Sequence, residues 1–215
     1  MIHYNVVIAT PGNSFTQGYV FSLINTIKFL EKSSISWNFV NKSASFVSLA
    51  REMTVAGSGF NSQTSKIPFS SDFSYDKIFW IDSDISWAIE DFANLYYSDE
   101  DIISGCYLMP DGNSPIYLEK MGPMMSGQDV ATRSKKFKAQ GCGFGFICIK
   151  NNVFENIPRP WFGPVPFLSG SQEDPQILLI GEDLSWSTKA INCGFEIWVD
   201  PNVLVTHNKN VPLRW

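Results

Sequence analysis

Histidine and cysteine are scarce in this chain: two His and four Cys among 215 residues. The cysteines, Cys106, Cys142, Cys148 and Cys193, form no C-x-x-C pair, which argues against a zinc site. Free thiols in a reducing compartment are the better reading. Positive charge is short as well, with 16 Lys and Arg against 21 Asp and Glu, a net charge of −5. That balance argues against general nucleic-acid binding, and it means that a phosphate ligand needs a cation or a local basic cluster. No apolar run approaches the length of a membrane span. "MIHYNVVIATPGNS" has no basic region followed by a long apolar stretch, so no signal peptide is expected. A cytoplasmic location is expected. Internal repeats and low-complexity tracts are lacking too. The chain ends at "VPLRW", almost directly after a strand-like segment, which leads us to expect that it was cut from a longer protein.

Apolar residues make up 44% of the chain and charged residues 17%, so it is globular, with enough length for one sizeable core. Seven Trp suit sugar or base stacking, but core packing accounts for most such rings. Tyr4–Ala9 reads as a buried strand closed by Pro11-Gly12. From Thr16 to Glu31, Val20, Leu23, Ile24, Ile27 and Leu30 recur at helical spacing. Ser36–Asn41 is a second strand, residues 44–59 a helix stopped by glycines, and Lys77–Asp82 a third strand. A short helix over Ile89–Tyr96 and a strand over Asp101–Leu108 continue the alternation. This pattern predicts an α/β fold with a mixed, mainly parallel sheet flanked by helices. Farther on, Gly122–Lys138 reads as loop, Gly141–Lys150 ends as a strand, and Pro158–Gln176, with five prolines, reads as a long irregular loop. Residues 181–194 read as a helix, and "FEIWVD" and "VLVTH" as two short closing strands.

In "KIFWIDSDISW" (Lys77–Trp87), two carboxylates follow a buried strand, one residue apart. Solvated acids at a strand end would explain them without further chemistry. In an extended segment, however, Asp82 and Asp84 face one side and reach one ion. They stand at a strand's carboxyl end, where open α/β sheets bind ligands. Oxygen ligands of this type suit Mg²⁺ or Mn²⁺. Glu182 and Asp183 in "GED" form a second acidic cluster, which helix capping explains equally well. His207 after the last strand is a ligand or a structural residue. Arg51 stands on the second helix, on a solvated face in the simplest reading. "GCGFGF" lacks the last glycine of a dinucleotide fingerprint and leads into a strand, so that reading fails.

Taken in order, "ATPGNSF", "LARE", "WIDSDI", "SGCY", "GCGFGF", "PWF", "GEDLSW" and the late "VTH" span the chain. Together they resemble metal-dependent glycosyltransferases of the GT-A type, whose fold is Rossmann-like. The likeness extends to large-virus transferases that decorate a capsid protein and, around "IDSDI" and "GED", to fungal mannan-synthesis transferases. The resemblance implies a nucleotide-sugar donor held by Thr10, Pro11, Arg51, Asp82, Ser83 and Asp84. It implies Mn²⁺ or Mg²⁺ at Asp82, Asp84 and His207, and an acceptor and reacting sugar served by Asp183 and Glu182. It implies a donor half over about residues 1–108 and an acceptor half over about 109–215 of a single domain. The acceptor would be a glycan or glycoprotein, a viral capsid protein among the candidates, and the location the host cytoplasm for a viral protein. The base would be uracil, and the sugar glucose, mannose or a 6-deoxyhexose such as rhamnose. Many relatives carry an aromatic residue and a Cys after "GED", where this chain has "LSWS".

Three other readings compete. A dehalogenase-type phosphohydrolase also uses D-x-D after an apolar strand, but its motif opens the domain. A sugar-phosphate nucleotidyltransferase would hold nucleotide and metal over a similar sheet. A non-catalytic carbohydrate-binding module would explain the tryptophans but not the acids at strand and helix ends.

Overall fold

The computed structural model describes residues 1–61, 67–164, 166–170 and 175–209. The elements run β1 (Ile2–Pro11), α1 (Gln17–Lys32), β2 (Trp37–Lys42), α2 (Val47–Ala56), β3 (Phe73–Ile81), β4 (Ile85–Ser86), α3 (Ile89–Tyr96) and β5 (Ile102–Cys106). They continue with β6 (Asn113–Tyr117), β7 (Met124–Ser126), α4 (Gly127–Ala131), β8 (Phe137–Ala139), β9 (Gly141–Cys142), β10 (Phe146–Lys150) and α5 (Val153–Asn156). The last are β11 (Pro166–Gly170), β12 (Pro175–Leu179), α6 (Glu182–Asn192), β13 (Ile197–Leu204) and β14 (Thr206–His207).

Seven strands form the central sheet in the order β2-β1-β3-β10-β5-β13-β8. β2, β1, β3, β5 and β13 run one way, and β10 and β8 run against them. The sheet is therefore mixed and mainly parallel, as the alternation predicts. Strands of such a sheet bury both faces, which is why they read as continuous apolar runs. The period of two divides them between the faces. Val7, Ala9, Ile78 and Trp80 pack on one side with Val55 of α2, Phe154 of α5 and Trp186 of α6. Val6, Ile8, Phe79 and Ile81 pack on the other with Tyr19 of α1 and Phe92 of α3. Trp80, Trp161 and Trp186 are among the largest fully buried side chains, so these rings are core, not sugar platforms. β10, from the second half of the chain, lies between β3 and β5, so the halves share one sheet.

Several expectations need correction. α1 buries Tyr19, Ser22, Thr26 and Leu30, while Val20 and Ile24 stay exposed. Its polar residues go inward because each finds a partner. Ser22 Oγ donates to the Trp87 carbonyl at 2.7 Å, and Trp87 Nε1 donates to Thr26 Oγ1 at 2.9 Å. The 122–138 stretch is not all loop: it holds β7, α4 and the start of β8, short elements whose polar sequence masks them. Pro158–Gln176 is not irregular throughout, since β11 and β12 pair as antiparallel strands; residues 165 and 171–174 of it lie outside the described residues. "IWVD" and "VL" of the two expected strands form one strand, β13, continuous through Pro201 with a register shift between Val199 and Leu204. The terminal "VPLRW" lies outside the described residues. Among the described residues no helix is long and apolar enough to cross a membrane. All four cysteines are free.

Candidate functional site

A cleft of about 430 Å³ opens over the carboxyl ends of β1 and β3. Pro11, Arg51, Asp82, Ser83, Asp84, Glu182, Asp183 and His207 all border it. Thr10 does not. Its side chain is fully buried and its Oγ1 meets the Tyr19 hydroxyl at 2.6 Å, while its carbonyl accepts from Asn41 Nδ2 at 2.7 Å. Thr10 thus shapes the loop after β1 instead of facing the cleft.

The acidic pair sits on a turn, not on an extended segment. Asp82 N–H donates to the Gly145 carbonyl at 3.0 Å, and Ile85 N–H closes the turn on the Asp82 carbonyl at 3.0 Å. The two carboxylates consequently take different partners. Arg51 Nη2 lies 3.0 Å from Asp82 Oδ1 and 3.2 Å from Oδ2, and Arg51 Nη1 lies 2.6 Å from Glu182 Oε1. Arg51 is 3% exposed, which overturns the solvated helix face expected for it. Burial opposes its charge, but Asp82 and Glu182 outweigh burial and raise its pKa.

Asp84 is approached from the other side. The short pairing of β4 with β14 sets His207 opposite Ile85. His207 Nε2 then lies 3.3 Å, and Lys209 Nζ 2.6 Å, from Asp84 Oδ2. Burial resists ionisation of Asp84, yet His207 and Lys209 together hold its carboxyl down at about 2. His207 Nδ1 stands 3.2 Å from the Leu108 carbonyl. A carbonyl and a carboxylate both only accept, so Nδ1 faces Leu108 as a donor and Nε2 faces Asp84 as a donor. Metal binding at Nε2 would displace that proton and keep the Nδ1 bond to the carbonyl.

Glu182 and Asp183 open α6 behind Gly181, and neither caps it from the N-cap position. Glu182 is committed to Arg51. Asp183 Oδ1 accepts from Leu184 N–H at 2.8 Å, and among the described residues no cation forms an ion pair with Asp183. Burial, reinforced by Glu182 and opposed by Arg51, raises its pKa above the ordinary value.

The sequence gives weaker signals for three further residues. Lys209 follows His207 by two positions, and Asn208 between them donates to the Asp84 carbonyl at 2.7 Å from its backbone. Tyr107 packs its ring edge-on against His207 at 5.4 Å and accepts from Gly145 N–H at 3.2 Å. It also explains "GCGFGF". A Cβ at Gly143 would stand 2.2 Å, and one at Gly145 2.6 Å, from Tyr107 atoms. The glycines make room for this ring and not for a phosphate.

As a metal site the donor set is chemically suitable: two carboxylates and an imidazole border one cleft. Among the described residues, however, no three His, Cys, Asp or Glu are already gathered for an ion. Arg51 and Lys209 occupy the positions beside Asp82 and Asp84.

No family model matches the sequence, and no curated protein does. Among solved structures, A197 from STIV is similar over 98% of this chain and 97% of its own, with a TM-score of 0.54 at 16% identity. The likeness is one of fold. A glycosyltransferase involved in the glycosylation of the major capsid of PBCV-1 matches 73% of this chain and 68% of its own, with a TM-score of 0.32 at 9% identity.

Proposed function

We propose that the chain is a glycosyltransferase that moves a sugar from a nucleotide-sugar donor, a UDP-sugar by resemblance, to a glycan or glycoprotein acceptor. The observation that carries this reading is the meeting of Asp82, Ser83, Asp84, Arg51, Asp183 and His207 at one cleft over the strand ends. They come from separate parts of the chain. In the donor pose, Pro11 borders the nucleoside and the Asp82–Asp84 turn faces the diphosphate.

Charge supports a divalent cation there. The cleft carries four carboxylates, Asp82, Asp84, Glu182 and Asp183, against the fixed cations Arg51 and Lys209. A diphosphate entering so acidic a cleft is repelled unless a further cation accompanies it. Mn²⁺ or Mg²⁺, held by Asp82, Asp84 and His207, would supply Lewis-acid stabilisation of the leaving phosphate. His207 is oriented for that work by the Leu108 carbonyl. Asp183 takes the proton of the acceptor hydroxyl if transfer inverts the anomeric centre, and positions the acceptor if transfer retains it. Its raised pKa, and the lack of an ion pair with it among the described residues, suit a base better than Glu182, which Arg51 holds. Glu182 positions Arg51 and the acceptor side of the cleft.

Calorimetry with a panel of nucleotide sugars, with and without Mn²⁺, tests the reading. Metal-dependent binding of one nucleotide sugar, lost in Asp82→Asn and Asp84→Asn, is expected. Pyrophosphate release from a nucleoside triphosphate and a sugar phosphate would make the protein a nucleotidyltransferase instead. Glycan binding without nucleotide or metal would reduce it to a binding module.

A further inference from the structure

Tyr107, just past the end of β5, reaches two of the three side chains proposed above for an ion. Its ring meets the His207 imidazole edge-on, with centroids 5.4 Å apart. Its hydroxyl accepts from Gly145 N–H at 3.2 Å, and the carbonyl of the same Gly145 accepts from Asp82 N–H at 3.0 Å. One side chain thus touches His207 with its ring and holds the Asp82 turn with its hydroxyl, through a single intervening residue. The next residue adds to the grip, since the Leu108 carbonyl stands 3.2 Å from His207 Nδ1. The ring is closely fitted there. It is 8% exposed, and an added Cβ at Gly143 or Gly145 would collide with it.

Asp84 and His207 are spaced by backbone. β4 and β14 pair Ser86 with Thr206 and Ile85 with His207. Two paired residues do not fix the tilt of the turn that precedes them, and Asp82 lies at its far end. Arg51 ties the Asp82 carboxylate to Glu182 and not to His207. The path from Tyr107 through Gly145 supplies the missing constraint. It matters because Mg²⁺ sits about 2.0–2.1 Å from each oxygen ligand and demands near-ideal geometry.

We propose, on the metal reading given above, that Tyr107 is a positioning residue: its hydroxyl and ring fix the span between Asp82 and His207 so that both reach one divalent ion. The hydroxyl then matters to the ion only while His207 is a ligand. Without His207, the turn carrying Asp82 and Asp84 follows the ion, and no span remains to be fixed. A hydroxyl that merely supported the fold would have the same effect whether or not His207 is present.

Mn²⁺, alone and with UDP, is titrated by calorimetry into four proteins: wild type, Tyr107→Phe, His207→Ala and the double variant. Tyr107→Phe keeps the ring and removes one oxygen, so wild-type circular dichroism is expected. It should weaken Mn²⁺ binding about tenfold, the lower end of what outer partners of metal ligands contribute. In the His207→Ala background the same change should cost about twofold or less. Tyr107→Leu, which also removes the ring edge, should weaken binding at least as much as Tyr107→Phe and be equally silent without His207. That non-additive pattern supports the assignment. Equal losses with and without His207, or a Tyr107→Phe chain that binds Mn²⁺ as wild type does, would overturn it and leave the metal site standing. Wild-type protein that binds no Mn²⁺ at millimolar concentration, alone or with UDP, would overturn the metal reading and this assignment with it. Loss of wild-type circular dichroism in both Tyr107 variants would make Tyr107 a residue of the core and overturn its positioning role.

Discussion

Arg51 joins Asp82 to Glu182, with Nη2 3.0 Å from one carboxylate and Nη1 2.6 Å from the other. One buried guanidinium thus ties the turn after β3 to the start of α6. The three side chains are 4%, 28% and 17% exposed, so water compensates little if one partner is lost. Arg51→Met should therefore lower stability by about 3 kcal/mol, read by urea unfolding. Asp82→Asn, which the sequence alone marks as a change at the metal and not at the fold, should also cost about 1–2 kcal/mol. A loss near zero in both variants would mean that the bridge contributes nothing to folding.

Lys209 and His207 act on Asp84 from the same side but should affect metal binding with opposite signs. Lys209 competes for Asp84 Oδ2, which it meets at 2.6 Å, whereas His207 Nε2 would itself ligate an incoming ion on giving up its proton. Lys209→Ala should tighten Mn²⁺ binding several-fold, and His207→Ala should weaken it, less than Asp84→Asn does. Titration followed by Mn²⁺ paramagnetic resonance separates them. Unchanged Mn²⁺ affinity in Lys209→Ala would remove the competition from the account.

Glu52, beside Arg51 on α2, serves a different segment. Its Oε1 lies 3.0 Å from Arg159 Nε, and its Oε2 accepts from Phe162 N–H at 2.9 Å. Lys189 holds the same stretch by donating to the Pro160 carbonyl at 2.7 Å. Glu52→Gln keeps the shape but loses the charge, and should cost about 1–3 kcal/mol. Protease cleavage between residues 159 and 164 should accelerate in that variant. Wild-type cleavage rates would show that the bonds of Lys189, and of Arg159 to the Gly59 and Phe60 carbonyls, hold the segment without Glu52.

The alternation of strands and helices was legible because buried parallel strands are continuously apolar, and Val6–Ala9 and Ile78–Ile81 are of that kind. The acids of the cleft were legible as residue types at element ends. Their pairing was not. Arg51 reads as a surface residue because helical spacing does not reveal a carboxylate arriving from residue 182. The inward face of α1 was missed for a related reason. Ser22 and Thr26 are polar letters, and only the carbonyl and indole of Trp87 make them core. Asp82 and Asp84 diverge because the turn at Ser83 breaks the period of two on which their common direction depended.

Asp183 separates a folding role from a catalytic one by pH. Its pKa is raised in the folded chain, chiefly by burial. The ordinary carboxyl titrates near 3.9. A raised folded value means that the native state holds the proton more tightly than the unfolded chain does. Stability therefore falls as pH rises from the unfolded value through the folded one, and the penalty persists above it. Asp183→Asn removes that penalty, so the variant should gain stability relative to wild type on going from about pH 3 to pH 7. Asn also retains an oxygen to accept from Leu184 N–H. If Asp183 is the base, the same variant should lose transfer by roughly a hundredfold or more while nucleotide affinity is unchanged. In the wild type the acid limb of kcat/KM should lie above the ordinary carboxyl range, because the base works ionised. A stable Asp183→Asn variant with normal transfer would leave this carboxylate only its bond to the first turn of α6.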